Sequence, residues 1–158
     1  MSTQTMFAVG DYWLSADRYY DASTHLWVQP RDAAPGPQLP ARCGLDPLGS
    51  DTTGDIVAVS FEPVGTRVER GEPFGSLEAA KFVGPLTAPV SGTIAAHNPA
   101  VLANPGLINR DPLEHWLVEI EGEGPEEELA RLLRDPAAVR DWFEREIERF
   151  RQQGTIAE

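Results

Sequence analysis

The chain has 158 residues, enough for one domain with a modest core, and 41% apolar with 24% charged residues is ordinary for a globular protein. Its formal net charge of −12, from 25 acidic and 13 basic side chains, repels phosphate backbones and argues against nucleic-acid binding. A single cysteine, Cys43, excludes an internal disulfide framework, and no apolar run approaches a membrane span or a signal peptide, so a cytoplasmic protein is expected.

Residues 1–18 read as a leader, with one helical turn possible at 15–18. Residues 26–28 are a short strand stopped by Pro30, and 31–40 (RDAAPGPQLP) must be loop. Residues 45–53 are turn or short helix. The stretch 56–61 (IVAVSF) is the strongest strand, β-branched and bounded by Gly54, Asp55 and Pro63. Short strands are expected at 66–68, 74–79, 86–90 and 93–96, separated by turn signals at Gly65, Gly71 and Gly92. Gly75, inside a strand, marks a bulge or a close approach. Residues 99–103 form a short helix closed by Asn104 and Pro105, and 116–120 a last strand. Many short strands at such spacing predict a small β-barrel or sandwich.

The composition changes at Pro125. Leu129, Leu132 and Leu133 share one helical face, Asp135 and Pro136 are a cap with proline at the first position, and Val139, Trp142, Phe143, Ile147 and Phe150 recur at helical spacing up to Gly154. This apolar stripe packs on the body or serves a partner as a docking surface. The expected organisation is a leader (1–18), a β-rich domain (19–124) and an acidic helical extension (125–158).

No nucleophile elbow, phosphate loop or metal-spaced set of His and Cys residues is present, and His25, His97 and His115 are scattered. The distinctive feature is residues 76–92 (SLEAAKFVGPLTAPVSG), a β-hairpin with Lys81 near its tip. Lys81 is the only lysine in the chain; the other basic side chains are all arginine. A hairpin tip offers the amine to a modifying enzyme, and acylation would take the formal charge from −12 to −13. The bland reading is a solvated lysine on a turn.

The flanks favour attachment. GDIVAVSFEPVG (54–65), VERGEPFGSLEAAK (68–81), APVSGTI (88–94) and NPAVLANPGLINRDPLEHWLVEI (98–120) occur in an order and spacing that resemble the glycine cleavage H-protein family, and HLW (25–27) is similar to its His-Glu-Trp. The resemblance covers about residues 20–120. It implies a mainly β fold, the flattened β-barrel or sandwich hybrid of lipoyl and biotinyl carriers, with short helices and here a C-terminal helical extension. It implies lipoate in amide linkage to Lys81, and Glu78, three residues earlier, as a residue for ligase recognition or for the environment of the arm. The strained ring disulfide of lipoate opens readily to nucleophiles, and a flexible tether shuttles the bound group between partners at high effective concentration. The chain would then be a non-catalytic carrier without a metal. Its implied partners are a lipoate ligase or lipoyl transferase and the glycine cleavage decarboxylase, aminomethyltransferase and dihydrolipoyl dehydrogenase, the cargo being an aminomethyl group.

Three departures keep alternatives open. The tip continues as FVGPLT, more apolar and stiffer at Phe82 and Pro85; the acid between His25 and Trp27 is missing; and the tail is long. These features resemble the lipoate-binding proteins of sulfur oxidation, which implies a sulfur intermediate as cargo and a heterodisulfide-reductase-like complex as partner. A binding module that has lost the cofactor is a third class. Biotin carriers place Met beside the lysine, whereas Ala80 and Phe82 flank it here.

Overall fold

A computed structural model describes residues 6–30, 40–122 and 126–156. The loop expected at 31–40 therefore lies, Pro40 apart, outside the described residues. The described part begins with a hairpin of β1 (Met6–Val9) and β2 (Tyr12–Ser15), followed by β3 (Tyr19–Tyr20) and β4 (Leu26–Pro30). Next come β5 (Ala41–Leu45), helix α1 (Pro47–Thr53), β6 (Ile56–Phe61) and β7 (Arg67–Val68). The hairpin that bears Lys81 is β8 (Pro73–Ala79) and β9 (Phe82–Thr87), and β10 (Gly92–His97) follows. Short helices α2 (Pro99–Ala103) and α3 (Gly106–Arg110) lead to β11 (Val118–Glu121). The chain closes with α4 (Glu126–Leu129) and α5 (Pro136–Gln152).

The fold is mainly β, a flattened sandwich whose sheets do not close into a barrel. One sheet has six strands in the order β3-β4-β5-β11-β10-β7; the other has three, β6-β8-β9, and all pairings are antiparallel. Strand alternation decides what each face buries. Leu26 and Val28 of β4, with Cys43, Val118, Ile120 and Ile94, meet Ile56, Phe74, Leu77 and Leu86 from the smaller sheet. Trp27, between Leu26 and Val28, points the other way into a second cluster with Tyr20, Leu48, Phe143 and Ile147. Gly44, opposite Trp27 in the register, leaves room for the indole: a Cβ there would lie 2.6 Å from the Trp27 ring.

The second cluster accounts for the tail. The Asp135 carboxylate caps α5 by accepting from the Ala138 amide at 3.2 Å, and Pro136 sits at the first position as expected. Val139, Trp142, Phe143 and Ile147 are buried, and Phe143 meets Tyr12 edge-on at 5.6 Å. Burial of such side chains contributes about 1.5–3 kcal/mol each, enough to hold a helix against the entropy of docking it. Trp142 and Phe143 are therefore core residues, not a surface open to partners. Tyr20 and Leu133 exchange both backbone hydrogen bonds at 2.8 Å, which ties the segment before α5 to the sheet edge at β3.

Several local expectations are corrected. Residues 15–18 end β2 and turn; they are not helical. The strand expected at 86–90 begins at Phe82 and ends at Thr87, because Pro89 has no amide for a ladder. The last strand starts at Val118. β1, β2, β3, β5 and α3 were not foreseen; each is short, with mixed composition, and is stabilised by its neighbours more than by its own propensity. Gly65 and Gly71 take φ of +97° and +91°, as their turns require. Gly75 is a close approach at a bulge: a Cβ would lie 2.2 Å from the Ser60 carbonyl oxygen.

Candidate functional site

Ala79 pairs with Phe82, so Ala80 and Lys81 alone form the turn of the β8–β9 hairpin. Two-residue hairpin turns favour types I′ and II′, which need positive φ and hence Gly, Asn or Asp. This turn has none of these, and neither residue has positive φ. External contacts hold it instead. The Ala80 amide donates to the Asp55 carbonyl at 3.0 Å and the Lys81 amide to the Thr53 carbonyl at 2.8 Å. Gly54, between those acceptors, has φ of +78°, and a Cβ there would press on Ala80 Cβ at 3.2 Å and Lys81 Cγ at 3.3 Å. The backbone of the tip is thus clamped onto the α1–β6 loop while the Lys81 side chain is exposed. Among the described residues its amine has no hydrogen bond or ion pair.

Glu78 lies on the outer face of β8, exposed, between Ala58 of β6 and Val83 of β9. It belongs to the same hairpin as Lys81 but forms no ion pair with it among the described residues. The surroundings are apolar, in keeping with the FVGP sequence. Val83 is 76% exposed, Val57 61% and Phe82 41%. Val57 stands out because the register of β6 against β8 slips between Ile56 and Ala58.

A cleft of about 350 Å³ opens beside the tip. Phe82 and Leu86 of β9 form one side, Thr53 of α1 and His25 face it, and Arg149 and Phe150 of α5 close it. His25, read from the sequence as scattered, turns out to be an organising residue. Its backbone is strained, with φ of +61°, the one non-glycine residue of positive φ among those described. Its Nδ1 bonds Asp46 Oδ2 at 2.7 Å, its Nε2 bonds Glu146 Oε1 at 2.8 Å, and its ring stacks on Trp142 at 4.9 Å. Burial pulls the imidazole pKa down, but the two carboxylates outweigh it, so the net shift is upward and His25 holds its proton beyond the usual range. Glu146 is lowered to about 2, first by the hydrogen bond from Arg149 and then by His25. The similarity of HLW to His-Glu-Trp was the one sequence signal for this group. His97 lies apart, bonding the Glu62 carbonyl at 2.7 Å. No set of His, Cys, Asp and Glu suited to a metal occurs among the described residues, and none of their helices is long and apolar enough to cross a membrane.

Comparison with known proteins agrees with this arrangement. Residues 18–144 match the family model described as Glycine cleavage H-protein. The chain is 40% identical over 114 residues to the probable glycine cleavage system H protein of Natronomonas pharaonis, covering 72% of this chain and 85% of that one. It is 42% identical over 98 residues to the glycine cleavage system H protein of Corynebacterium jeikeium, covering 61% and 76%. The crystal structure of a glycine cleavage system H protein from Mycobacterium marinum superposes with a TM-score of 0.63 at 32% identity, over 74% of this chain and 96% of that one. The match runs through the β8–β9 hairpin, the short helices and half of α5, and on that extent the chain belongs to the glycine cleavage H-protein family.

Proposed function

We propose that Lys81 carries a lipoyl group in amide linkage and that the protein is the lipoyl carrier of a glycine cleavage system, moving an aminomethyl group between enzymes. The observation that supports this most is the chain's single lysine on a clamped, exposed hairpin tip beside a cleft, in a member of the H-protein family. The site fits the group. The amine is reachable, its backbone is held, and a cleft of about 350 Å³ with an apolar wall lies beside it. Attachment requires an activated acyl donor from a lipoate ligase or lipoyl transferase. The deprotonated amine attacks the acyl carbon, a C–N bond forms, the bond to the leaving group breaks, and the amine proton passes to solvent or enzyme. When bound, lipoate supplies a ring disulfide open to nucleophiles.

The chain itself performs no acid–base step on cargo in this reading. The hairpin presents the arm, and the Thr53 and Asp55 carbonyls keep the attachment point in place. Phe82, Leu86 and Phe150 offer an apolar wall that keeps water from a sheltered arm. Glu78, exposed on the outer face of the same hairpin, is available to ligase recognition or to the environment of the arm. The partners are the glycine decarboxylase, the aminomethyltransferase and dihydrolipoyl dehydrogenase, with the protein in the cytoplasm. No feature of the described residues specifically favours a sulfur cargo over this one.

The test is Lys81→Arg, which keeps the charge and removes the acylable amine. Intact-mass measurement of protein from the native host is expected to show a lipoyl adduct on the wild type and none on the variant, with identical far-ultraviolet circular dichroism. A wild type unmodified in a host that lipoylates other proteins refutes the reading.

A further inference from the structure

We propose that Asn109 is a positioning residue for the modification of Lys81, acting through the α1–β6 loop; this rests on Lys81 being the attachment site. Asn109 lies on α3, distant in sequence from the hairpin, yet its amide spans the loop that holds the tip. Asn109 Oδ1 accepts from the Ile56 amide at 2.8 Å, and Nδ2 donates to the Gly54 carbonyl at 2.9 Å. The loop backbone between these bonds, with its neighbour Thr53, supplies the two carbonyls that accept from Ala80 and Lys81.

The relay matters because of the turn's chemistry. A two-residue turn without positive φ does not match the twist of its strands and has little local reason to stay in one shape. Its conformation is imported from the loop through two hydrogen bonds, and the loop's is imported from α3 through two more. Asn is suited to the junction, since its amide offers a donor and an acceptor on two separate atoms of one short side chain. The Ser50 hydroxyl, 3.4 Å from Nδ2, and the Thr53 hydroxyl, bonded to the Ser50 carbonyl at 2.9 Å, continue the network into α1. An enzyme that must seat the amine against a bound acyl-adenylate reads the position of the tip, so loosening the tip lowers the fraction of productive encounters.

The experiment uses unmodified full-length protein with a lipoate–protein ligase, lipoate and ATP, comparing wild type with Asn109→Ala and Asn109→Asp. The alanine variant is expected to lose about five- to tenfold in ligase kcat/KM, the loss of about one net hydrogen bond's worth of positioning. Aspartate keeps the acceptor for Ile56 but sets a carboxylate oxygen against the Gly54 carbonyl where Asn109 donates, so it should lose at least as much as alanine. Amide exchange at Ala80 and Lys81 should quicken while Ile94 and Ile120, in the core, stay as slow as in wild type. Acetylation of Lys81 by a small activated ester should not change, since the amine is exposed either way.

Unchanged ligase kcat/KM in the alanine variant, or unchanged exchange at Ala80 and Lys81, overturns the relay. Faster exchange at Ile94 and Ile120 as well makes Asn109 merely structural and overturns it too. If the alanine variant does not fold, Gly54→Ala carries the test, because its new methyl presses directly on Ala80 and Lys81; a wild-type ligase rate there overturns the proposal. Wild-type protein that the ligase leaves unmodified refutes the attachment reading itself, and with it this inference.

Discussion

Asp46→Asn tests the buried ion group that joins α5 to the body. Asp46 is wholly buried and does two jobs: Oδ1 caps α1 by accepting from the Gly49 amide at 2.8 Å, and Oδ2 bonds the His25 ring at 2.7 Å. Asparagine caps helices about as well as aspartate, so the first job survives and the change isolates the second. Removing one partner of a buried ion pair costs about 3–5 kcal/mol; with the amide oxygen kept on Gly49, the amide NH2 faces the ring and can donate to Nδ1 of a neutral imidazole, which lowers this to about 2–3 kcal/mol. For a chain of this size that is roughly 5–10 °C in Tm.

The pH dependence has a definite sign. The folded pKa of His25 is raised, burial pulling down and Asp46 and Glu146 pushing up more strongly. The stabilisation is therefore fully present below the ordinary imidazole pKa of about 6.5 and is lost as pH rises through the raised folded value. The other charges facing the ring are Glu146 and, behind it, Arg149, both on α5. The free-energy difference between wild type and Asp46→Asn, from urea unfolding between pH 5.5 and 9.5, should be greatest at the acid end and shrink toward the alkaline end. A difference below about 0.5 kcal/mol at pH 5.5, or one that grows with pH, refutes the reasoning.

Gly75→Ala should cost about 3 kcal/mol, because the methyl would meet the Ser60 carbonyl backbone at 2.2 Å and the strands must part; urea unfolding checks it, and a change under 1 kcal/mol would mean the bulge yields easily. Cys43 is fully buried and burial pushes its thiol up to about 12, so Ellman's reagent should leave it untouched in folded protein and titrate one thiol in denaturant. Prompt reaction of the native protein would contradict the packing of β5.

Much of this molecule was legible from local pattern. The strand 56–61 is β-branched and bounded by turn residues, and it appears as β6. Gly75 and the Asp135 cap acted through effects confined to a few neighbouring atoms. The lone lysine on a hairpin was visible because composition and turn spacing need no knowledge of the rest of the chain. The strands β3 and β5 were invisible for the opposite reason: two or five unremarkable residues become strands because an edge waits for them. His25 is the clearest failure, since its partners Asp46 and Glu146 stand 21 and 121 residues away and its role exists only once α5 docks.

By itself, then, the sequence determined a β-rich chain with one lysine and where that lysine sits, because propensity, turn chemistry and a unique residue are local properties. Tertiary structure alone decided how the amine is held. The tip's two residues cannot specify their own turn, so its shape comes from carbonyls on a loop some 25 residues earlier in the chain and from Asn109, 28 residues later. It also decided the fate of the tail: the sequence favours packing of its apolar stripe on the body over a docking surface, and the N-terminal hairpin and Trp27 are what cover it.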